Sequence, residues 1–252
     1  MLYVEHISKT FNAGTINEKK ALIDVSLHIK PGEFVTVIGG NGAGKSTILN
    51  AIAGIWPVDD GAVILDGQNI TGLPEFKRAP WIGRVFQDPR MGTAASMQID
   101  ENMALAKRRG QRRTLKWGVT KKEREEFRDQ LAILGLGLED RMTTKVGLLS
   151  GGQRQALTLL MAALQKPKLL LLDEHTAALD PATARTVLQI SDQIVEENNL
   201  TTLMITHNMQ DAINHGDRLI MMNAGTIIYD VCGEEKKALT RQALLQMFED
   251  IL

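Results

Sequence analysis

The chain carries, between a short apolar run and a helical pattern, the stretch Gly39-Gly40-Asn41-Gly42-Ala43-Gly44-Lys45-Ser46. Glycines at this spacing let backbone N–H groups turn inward around phosphates, and the following helix N-terminus adds partial positive charge. Lys45 offers a cation to the β- and γ-phosphates, and the hydroxyl of Ser46, with that of Thr47 nearby, can ligate Mg²⁺. The stretch predicts a phosphate-binding loop; the alternative is a glycine-rich turn with a solvated lysine.

A second motif is a run of leucines that ends in two carboxylates, Lys168-Leu169-Leu170-Leu171-Leu172-Asp173-Glu174. Four consecutive apolar residues suit a strand that is buried on both faces of a parallel sheet. At the carboxyl end of such a strand, Asp173 would hold Mg²⁺ through water, and Glu174 would polarise the water that attacks the γ-phosphate. An acidic cap or turn after a core strand is the alternative.

The order of the predicted elements gives the fold class. Alternating or β-branched apolar runs predict strands, and helical spacing predicts helices with breakers at Gly135 and Gly137. The strands are 22–29, 34–38, 62–65, 168–173 and 201–206; the helical segments are 45–55, 97–164, 182–197 and the amphipathic tail 242–252. Strand–helix–strand order implies parallel pairing through a crossover helix. After the last of these strands, the pattern predicts room for a short helix only.

We therefore expect an α/β protein: a P-loop NTPase core with a mostly parallel sheet, an N-terminal antiparallel β subdomain and an inserted helical subdomain. Residues 1–252 would form one domain, in which 1–86 with 165–252 make the nucleotide-binding core and 87–164 the helical subdomain.

Composition excludes several classes of protein. The balance of 29 basic and 30 acidic residues argues against holding nucleic acid by bulk electrostatics. The single cysteine, Cys232, cannot form an internal disulfide, which fits a reducing cytosol. No signal peptide is visible, and the apolar stretches are too short to span a bilayer.

A third motif, Leu149-Ser150-Gly151-Gly152-Gln153-Arg154-Gln155, opens another apolar helical segment. Its Ser-Gly-Gly start is a second anion-binding helix N-terminus. A chain with one phosphate loop has little need of a second phosphate-binding element in the same site. We therefore expect this helix N-terminus to bind the nucleotide of a neighbouring copy, in a head-to-tail dimer that encloses two ATP molecules. With these motifs the chain resembles the ATP-binding subunit of an ABC transporter, from about Leu2 to about Gly233.

The resemblance implies roles for further residues, with ATP and Mg²⁺ as cofactors. Phe11 is similar to the aromatic that stacks on adenine, although a core aromatic is the alternative. Gln87, which stands just before the helical insertion, resembles the glutamine that touches Mg²⁺ and links the site to the membrane partner. An ordinary surface glutamine is the alternative. His207 resembles the switch histidine at the γ-phosphate, and Asp180 the aspartate that couples two sites. The expected catalytic residues are Glu174, His207 and Lys45, and the expected metal ligands are Ser46, Gln87 and Asp173.

The same resemblance implies partners. We expect a permease that holds the chain at the cytoplasmic face of the membrane, an extracytoplasmic solute-binding protein, and no nucleic acid; the solute would be small, with an amino acid as the hypothesis. One alternative is a cassette that drives a membrane complex without moving a solute. Another is a soluble ABC-type ATPase, which the presence of one phosphate loop and the lack of sustained heptads between the motifs disfavour.

Two positions depart from the family pattern Pro-Thr-Ser-Ala-Leu-Asp, which here is His175-Thr176-Ala177-Ala178-Leu179-Asp180. Ala177 lacks a hydroxyl that would bond across the dimer, and His175 puts a titratable ring beside Glu174. These changes predict weakened or pH-sensitive communication between sites. A basic stretch at 107–122 is either a solvated helix face or a contact with anionic headgroups.

Overall fold

The computed structural model describes residues 1–111 and 118–249. Its internal contacts divide the chain into two compact units: unit 1 is Met1–Arg78 with Asn199–Leu252, and unit 2 is Ala79–Asn198. The boundaries predicted for the nucleotide-binding core and the helical subdomain are not tested by this division, and they stay predictions.

Unit 1 contains both β-rich layers and the short C-terminal helices. Its strands are β1 (Leu2–Phe11), β2 (Lys19–Ile29), β3 (Phe34–Gly39), β4 (Asp60–Leu65), β5 (Gln68–Asn69), β8 (Thr202–Ile205), β9 (Arg218–Asn223) and β10 (Thr226–Cys232). Its helices are α1 (Lys45–Ala53), α2 (Glu75–Arg78), α7 (Met209–Asn214), α8 (Gly233–Lys237) and α9 (Arg241–Glu249).

Unit 2 contains two strands and the longer helices. They are β6 (Ile82–Val85), α3 (Ile99–Lys107), α4 (Lys121–Ala132), the 3₁₀ turn Val146–Leu148, α5 (Gly151–Ala163), β7 (Leu169–Asp173) and α6 (Pro181–Asn198). β6 and β7 pair in parallel, with Val85 opposite Leu172. The four leucines of β7 are fully buried, as their apolar run predicts.

Two kinds of sheet pairing occur in unit 1. In the first sheet, strands β2, β1, β4 and β5 lie side by side and are antiparallel. In the second, β3 pairs in parallel with β8 and β9, and β9 pairs antiparallel with β10. The predicted α/β class, with its N-terminal antiparallel subdomain and mostly parallel core, is therefore confirmed.

The end of the chain differs from the prediction. β9 and β10 follow residue 206, where only a short helix was expected, so that expectation is wrong. The two strands form a hairpin whose turn residues Ala224 and Gly225 both have positive φ, +45° and +82°, as a two-residue type I′ turn requires. Ile38, Leu219, Met221 and Val231 pack in one apolar cluster with Leu244 of α9. The hairpin thus completes the core of unit 1.

Within residues 1–111 and 118–249, no helix has the length and apolarity needed to cross a bilayer.

Arg78 is a buried cation that stabilises the end of α1. It is 2% exposed and donates to the carbonyl oxygens of Ala51 and Ile52, at 2.8 and 2.7 Å, in the last turn of the helix. Gly54, the C-cap, has φ +82°, and a methyl group built on it would lie 2.5 Å from Arg78 Nε. Burial lowers the pKa of Arg78. The helix C-terminus, with its negative partial charge, takes the place of a carboxylate partner.

Replacing Arg78 by alanine should therefore destabilise unit 1. We expect a loss of about 2–4 kcal/mol in the free energy of unfolding, because several buried carbonyl groups lose their donor and a cavity forms. Urea unfolding followed by tryptophan fluorescence measures it. The exposed neighbour provides a matched control, since Lys77→Ala should change stability by less than about 0.5 kcal/mol. Equal effects of the two changes would contradict the assignment.

Candidate functional site

The predicted phosphate loop lies in unit 1, between β3 and α1. Lys45 is buried, and its Nζ donates to the carbonyl oxygens of Gly39, at 2.8 Å, and Gly40, at 3.1 Å, so the side chain folds back over the loop. Gly42 and Gly44 have φ values of +81° and +104°, a region that L-residues rarely adopt. The motif therefore forms a compact loop between β3 and α1, and its contact with phosphate stays a prediction.

The backbone around the loop leaves no room for side chains at two of its glycines. A methyl group on Gly39 would collide with the carbonyl oxygen of Met222, and one on Gly44 would lie 2.6 Å from that of Ala21. The turn of the β9–β10 hairpin holds the loop as well, since Gly225 N–H donates to Ala43 O at 3.0 Å. The loop is thus fixed by β2 on one side and by the hairpin on the other.

The loop leads directly into the N-terminus of α1, which fits an anion. Gly44 is the N-cap, so no side chain caps the helix, and no acidic residue lies in its first turn. Asn41 and Ser46 are exposed, and Thr47 is partly exposed. Uncapped N–H groups, the helix dipole and Lys45 together form a positive environment that suits phosphate groups.

Phe11 ends β1 in the same unit and is partly exposed. The edge of its ring meets Trp56, with centroids 4.9 Å apart and planes at 80°, and Lys9 Nζ lies 5.7 Å from its centroid. Asp59 holds Lys9 through a 2.7 Å ion pair. The Lys9 ammonium and the Thr10 N–H lower the pKa of the Asp59 carboxyl. Phe11 is therefore not a fully buried core aromatic, while its stacking role stays a prediction.

His207 follows β8 and is exposed. β8 is parallel to β3, with Ile205 opposite Val37, and Thr206 N–H donates to Val37 O at 3.1 Å. Since the carboxyl ends of parallel strands meet at one sheet edge, the fold places His207 at the same edge as the phosphate loop. On α7, burial raises the pKa of the Asp211 carboxyl, while the charges of His215 and His207 act in the opposite direction and lower it.

Asp173 ends β7 in unit 2, Glu174 directly follows it, and Gln87 follows the parallel strand β6, so the three share one sheet edge. Asp173 Oδ2 accepts from Arg84 Nη2 of β6 at 3.0 Å, and both side chains are mostly buried, at 16% and 12% exposure. Glu174 has φ +45°, a strained conformation for a residue with a side chain. Strain of this kind is typical of functional positions.

The predicted metal ligands fit Mg²⁺ chemically. Ser46, Gln87 and Asp173 offer hydroxyl, amide and carboxylate oxygens, which are the donors that this hard cation prefers, usually with water and substrate phosphates. In the described residues, three or more histidine, cysteine or acidic side chains nowhere converge into a metal cage. A magnesium ion that is held largely by phosphates is consistent with that finding.

The third motif of the sequence, which contains Ser150, Gly151 and Gly152, forms the N-terminus of α5 in unit 2. Ser150 Oγ accepts from Gln153 N–H, and Gln153 Oε1 accepts from Ser150 N–H, both at 3.2 Å, as a capping box. A methyl group on Gly152 would collide with Thr183 of α6. Gly152 therefore has a packing role, because it lets α5 approach α6 closely, in addition to the predicted phosphate contact.

Asp180 caps the N-terminus of α6. Its Oδ1 accepts from the N–H groups of Ala182 and Thr183, at 3.2 and 3.1 Å, and Pro181 occupies the first helical position. Hydrogen bonds from the Thr183 side chain and backbone lower the pKa of Asp180. Its coupling role stays a prediction beside this structural one.

His175 is buried, at 2% exposure, against α6. Its Nε2 lies 3.0 Å from Ser191 Oγ, and that hydroxyl donates to Val187 O at 2.8 Å. Because the serine proton is already used, Nε2–H of the histidine is the donor. His175 thus ties the segment after Glu174 to α6. The predicted effect of His175 and Ala177 on communication between sites stays untested.

The first three cations of the basic stretch are engaged within unit 2. Lys107 pairs with Glu126, Arg108 pairs with Glu123 at 2.8 Å, and Arg109 donates to Ala162 O at 3.1 Å. Arg112 and Arg113 lie outside the described residues, and Lys121 and Lys122 are exposed. The two interpretations of the stretch, as a solvated helix face or as a contact with anionic headgroups, both stay predictions.

A groove of about 930 Å³ lies in unit 2. Its lining includes Phe86, Met91 and Arg109. Arg84, which lines it as well, was missed by sequence reasoning, although one basic residue inside the apolar segment Ile82-Gly83-Arg84-Val85 was an available signal.

The Arg84–Asp173 pair should be coupled energetically. Replacing Arg84 by methionine removes a cation from a mostly buried carboxylate, and we expect about 1–3 kcal/mol of destabilisation. The double change with Asp173→Asn should cost less than the sum of the two single changes, by about 1 kcal/mol. Urea unfolding measures the cycle, with Arg90→Met as control because Arg90 is exposed and pairs with the exposed Asp88. Additive effects would refute the coupling.

Comparison with known proteins gives the family. The family described as ABC transporter matches residues 22–177. A tyrosine transport ATP-binding protein of Clostridioides difficile (strain R20291) is 45% identical over 249 residues, which are 99% of each chain. A phosphonates import ATP-binding protein of Lactobacillus johnsonii is 34% identical over 259 residues, covering 100% of this chain and 95% of the relative.

Solved structures of related proteins give the same family. An ATP-binding cassette in a dimeric, post-hydrolysis state bound to ADP and Pi superposes with a TM-score of 0.77 at 29% identity, over 92% of this chain and 98% of that one. A Clostridium perfringens protein that is part of the ABC transporter complex cbiONQ gives 0.79 at 25% identity, over 100% and 95%. The predicted resemblance is confirmed: the chain belongs to the ABC transporter family, as an ATP-binding subunit that hydrolyses ATP.

Proposed function

We propose that the chain powers import of a small solute through a separate permease, as one of two copies in a head-to-tail dimer. The observation that carries this proposal is the presence of two anion-binding helix N-termini in one chain, α1 behind the phosphate loop and α5 behind Ser150-Gly151-Gly152. In the proposed dimer, each ATP is held by the loop of one copy and covered by the α5 terminus of the other. The related cassette solved as a dimer with ADP and Pi supports the arrangement.

Each copy would hold ATP through Phe11 at the adenine and through residues 39–47 at the phosphates. Glu174 orients and polarises the attacking water, while Lys45 and His207 stabilise the charge that develops on the γ-phosphoryl group. Ser46, Gln87 and Asp173 would hold Mg²⁺, which when bound neutralises charge on the β- and γ-phosphates. The water oxygen bonds to the γ-phosphorus as the bond from that phosphorus to the β–γ bridging oxygen breaks, which gives ADP and inorganic phosphate. Because ADP and ATP make different contacts, hydrolysis changes the state of the dimer.

The solute is proposed from the relatives. The relative at 45% identity is named for tyrosine transport, and it covers the whole chain, so an aromatic amino acid is the substrate that we propose. Phosphonate import, which the relative at 34% identity carries in its name, is the second candidate. The solute itself would contact the permease and an extracytoplasmic solute-binding protein.

The location follows from the same proposal. The permease would hold this chain at the cytoplasmic face of the membrane, and the groove of unit 2, lined by Phe86 and Met91, would receive it. Phe86 directly precedes Gln87 in the chain, so a permease bound in the groove would lie one residue away from the proposed metal ligand. A complex that moves no solute remains the competing function.

Exchange of Glu174 for glutamine should separate binding from hydrolysis. The amide keeps the size of the side chain but loses the charge that polarises water, so we expect ATP binding and dimer formation to persist while turnover falls by about 10²–10³. ATP turnover and size-exclusion chromatography with ATP check both. Glu196→Gln, on the exposed face of α6, is the control and should be unchanged. Near-normal turnover of the Glu174 variant would remove Glu174 from the mechanism.

The transport proposal needs a test in the assembled complex. The chain should co-purify from membranes with a polytopic permease, and proteoliposomes of that complex with its binding protein should take up labelled tyrosine only when ATP is enclosed. The Glu174→Gln complex should take up none. Tyrosine-stimulated ATPase without uptake, or a complex that lacks any permease, would contradict import.

A further inference from the structure

Lys19, the first residue of β2, is a cation beside the phosphate loop that neither the motifs nor the family resemblance includes. A methyl group built on Gly42, in the middle of the loop, would lie 3.1 Å from Lys19 Nζ. The ammonium group therefore rests against the loop backbone. Lys19 and the loop both belong to unit 1.

The hairpin of β1 and β2 explains how Lys19 comes to this position. Lys19 is directly opposite Phe11, and Lys20 is directly opposite Thr10, in antiparallel register. Directly opposite residues project from the same face of an antiparallel pair, whereas consecutive residues project from opposite faces. Lys19 therefore shares a face with the predicted adenine-stacking residue, and Lys20 points the other way.

The electrostatics of this position indicate an anion. The loop already presents the N-terminus of α1 and the buried ammonium of Lys45. A second ammonium at the same loop adds positive charge to this surface, which favours a negative ligand. Throughout residues 1–111 and 118–249, no carboxylate forms an ion pair with Lys19. The phosphate chain of a nucleotide carries the charge that is needed.

We propose that Lys19 is a nucleotide-binding residue whose ammonium group contacts the phosphate chain of a nucleotide in the loop. This assignment rests on the proposed function, in which residues 39–47 hold the phosphates and Phe11 holds the adenine. Lys19 connects the adenine and phosphate parts of this site. It lies in the same β1–β2 hairpin as Phe11, and its ammonium group lies beside the loop at Gly42. Its side chain is exposed, so its contribution is screened by salt.

The test compares two neighbouring lysines. Dissociation constants for ATP and ADP are measured by titration calorimetry at low and high salt, for the wild-type chain and for Lys19→Ala, Lys19→Arg and Lys20→Ala. Lys19→Ala should bind both nucleotides about 3- to 10-fold more weakly at low salt, and the difference should shrink at high salt. Lys19→Arg should stay within about twofold of wild type. Lys20→Ala removes the same charge from the opposite face and should leave binding unchanged.

Three results would overturn the assignment. Equal affinities of the Lys19→Ala and Lys20→Ala proteins would place Lys19 outside the binding site. Loss of affinity that does not depend on salt, or that Lys19→Arg fails to restore, would show that the ammonium charge makes no contact with phosphate. Thermal unfolding of each variant verifies that it is folded, which the exposure of Lys19 leads us to expect.

Lys45→Ala separates this proposal from the one on which it rests. If Lys45→Ala loses ATP binding while Lys19→Ala binds like wild type, only the Lys19 assignment fails. If the wild-type chain binds no ATP, or if Lys45→Ala binds as tightly as wild type, the phosphate-loop function itself fails, and the Lys19 assignment fails with it.

Discussion

The close packing of backbone around the phosphate loop is the constraint on which unit 1 depends. Side chains at Gly39 or Gly44 would collide with the carbonyl groups of Met222 and Ala21, so the loop can close only between β9 and β2. The β9–β10 turn then fastens it through Gly225 N–H to Ala43 O. A loop that is fixed in this way has its N–H groups ready for phosphates before any ligand arrives, which lowers the ordering cost of binding. The β9–β10 hairpin, late in the chain, thus stabilises the phosphate loop, which lies early in the chain.

Local chemistry accounts for what the sequence could predict. The phosphate loop, the buried leucines of β7 and the helix that begins after Ser150 depend on neighbouring residues, so their motifs are enough to predict them. The β9–β10 hairpin was missed because its apolar run, Leu219-Ile220-Met221-Met222, has no alternation, and because the Ala224-Gly225 turn is a weaker signal than Asn-Gly. Arg78 and Arg84 were missed for another reason: their partners lie far along the chain. Although Arg84 stands within an apolar segment, that pattern alone does not show which group the side chain pairs with.

Long-range position also decides the roles of residues that the motifs leave out. Lys19 and Lys20 are indistinguishable in sequence, yet the register of β1 and β2 directs one of them to the loop and the other away from it. A similar distinction separates Arg84, which pairs with a mostly buried carboxylate, from Arg90, which pairs at the surface. In both cases the position in the fold, rather than the residue type, decides which group each cation contacts.

In unit 2, the residues that we predict to affect contact or communication between two copies are also those that pack α5 and α6. Gly152 allows the close approach to Thr183, Asp180 caps α6, and His175 is bonded to Ser191 of the same helix. Alanine at Gly152 or Asp180 would therefore disturb the packing or start of a helix as well as any contact across a dimer. A loss of activity in such a variant does not identify the contact. Substitutions that keep the local hydrogen bonds are more informative: Asp180→Asn retains an oxygen that can cap α6 and removes only the charge. If communication between the two sites depends on that charge, it should fall in Asp180→Asn while the thermal stability of the chain stays close to that of wild type; if only the cap matters, both should persist.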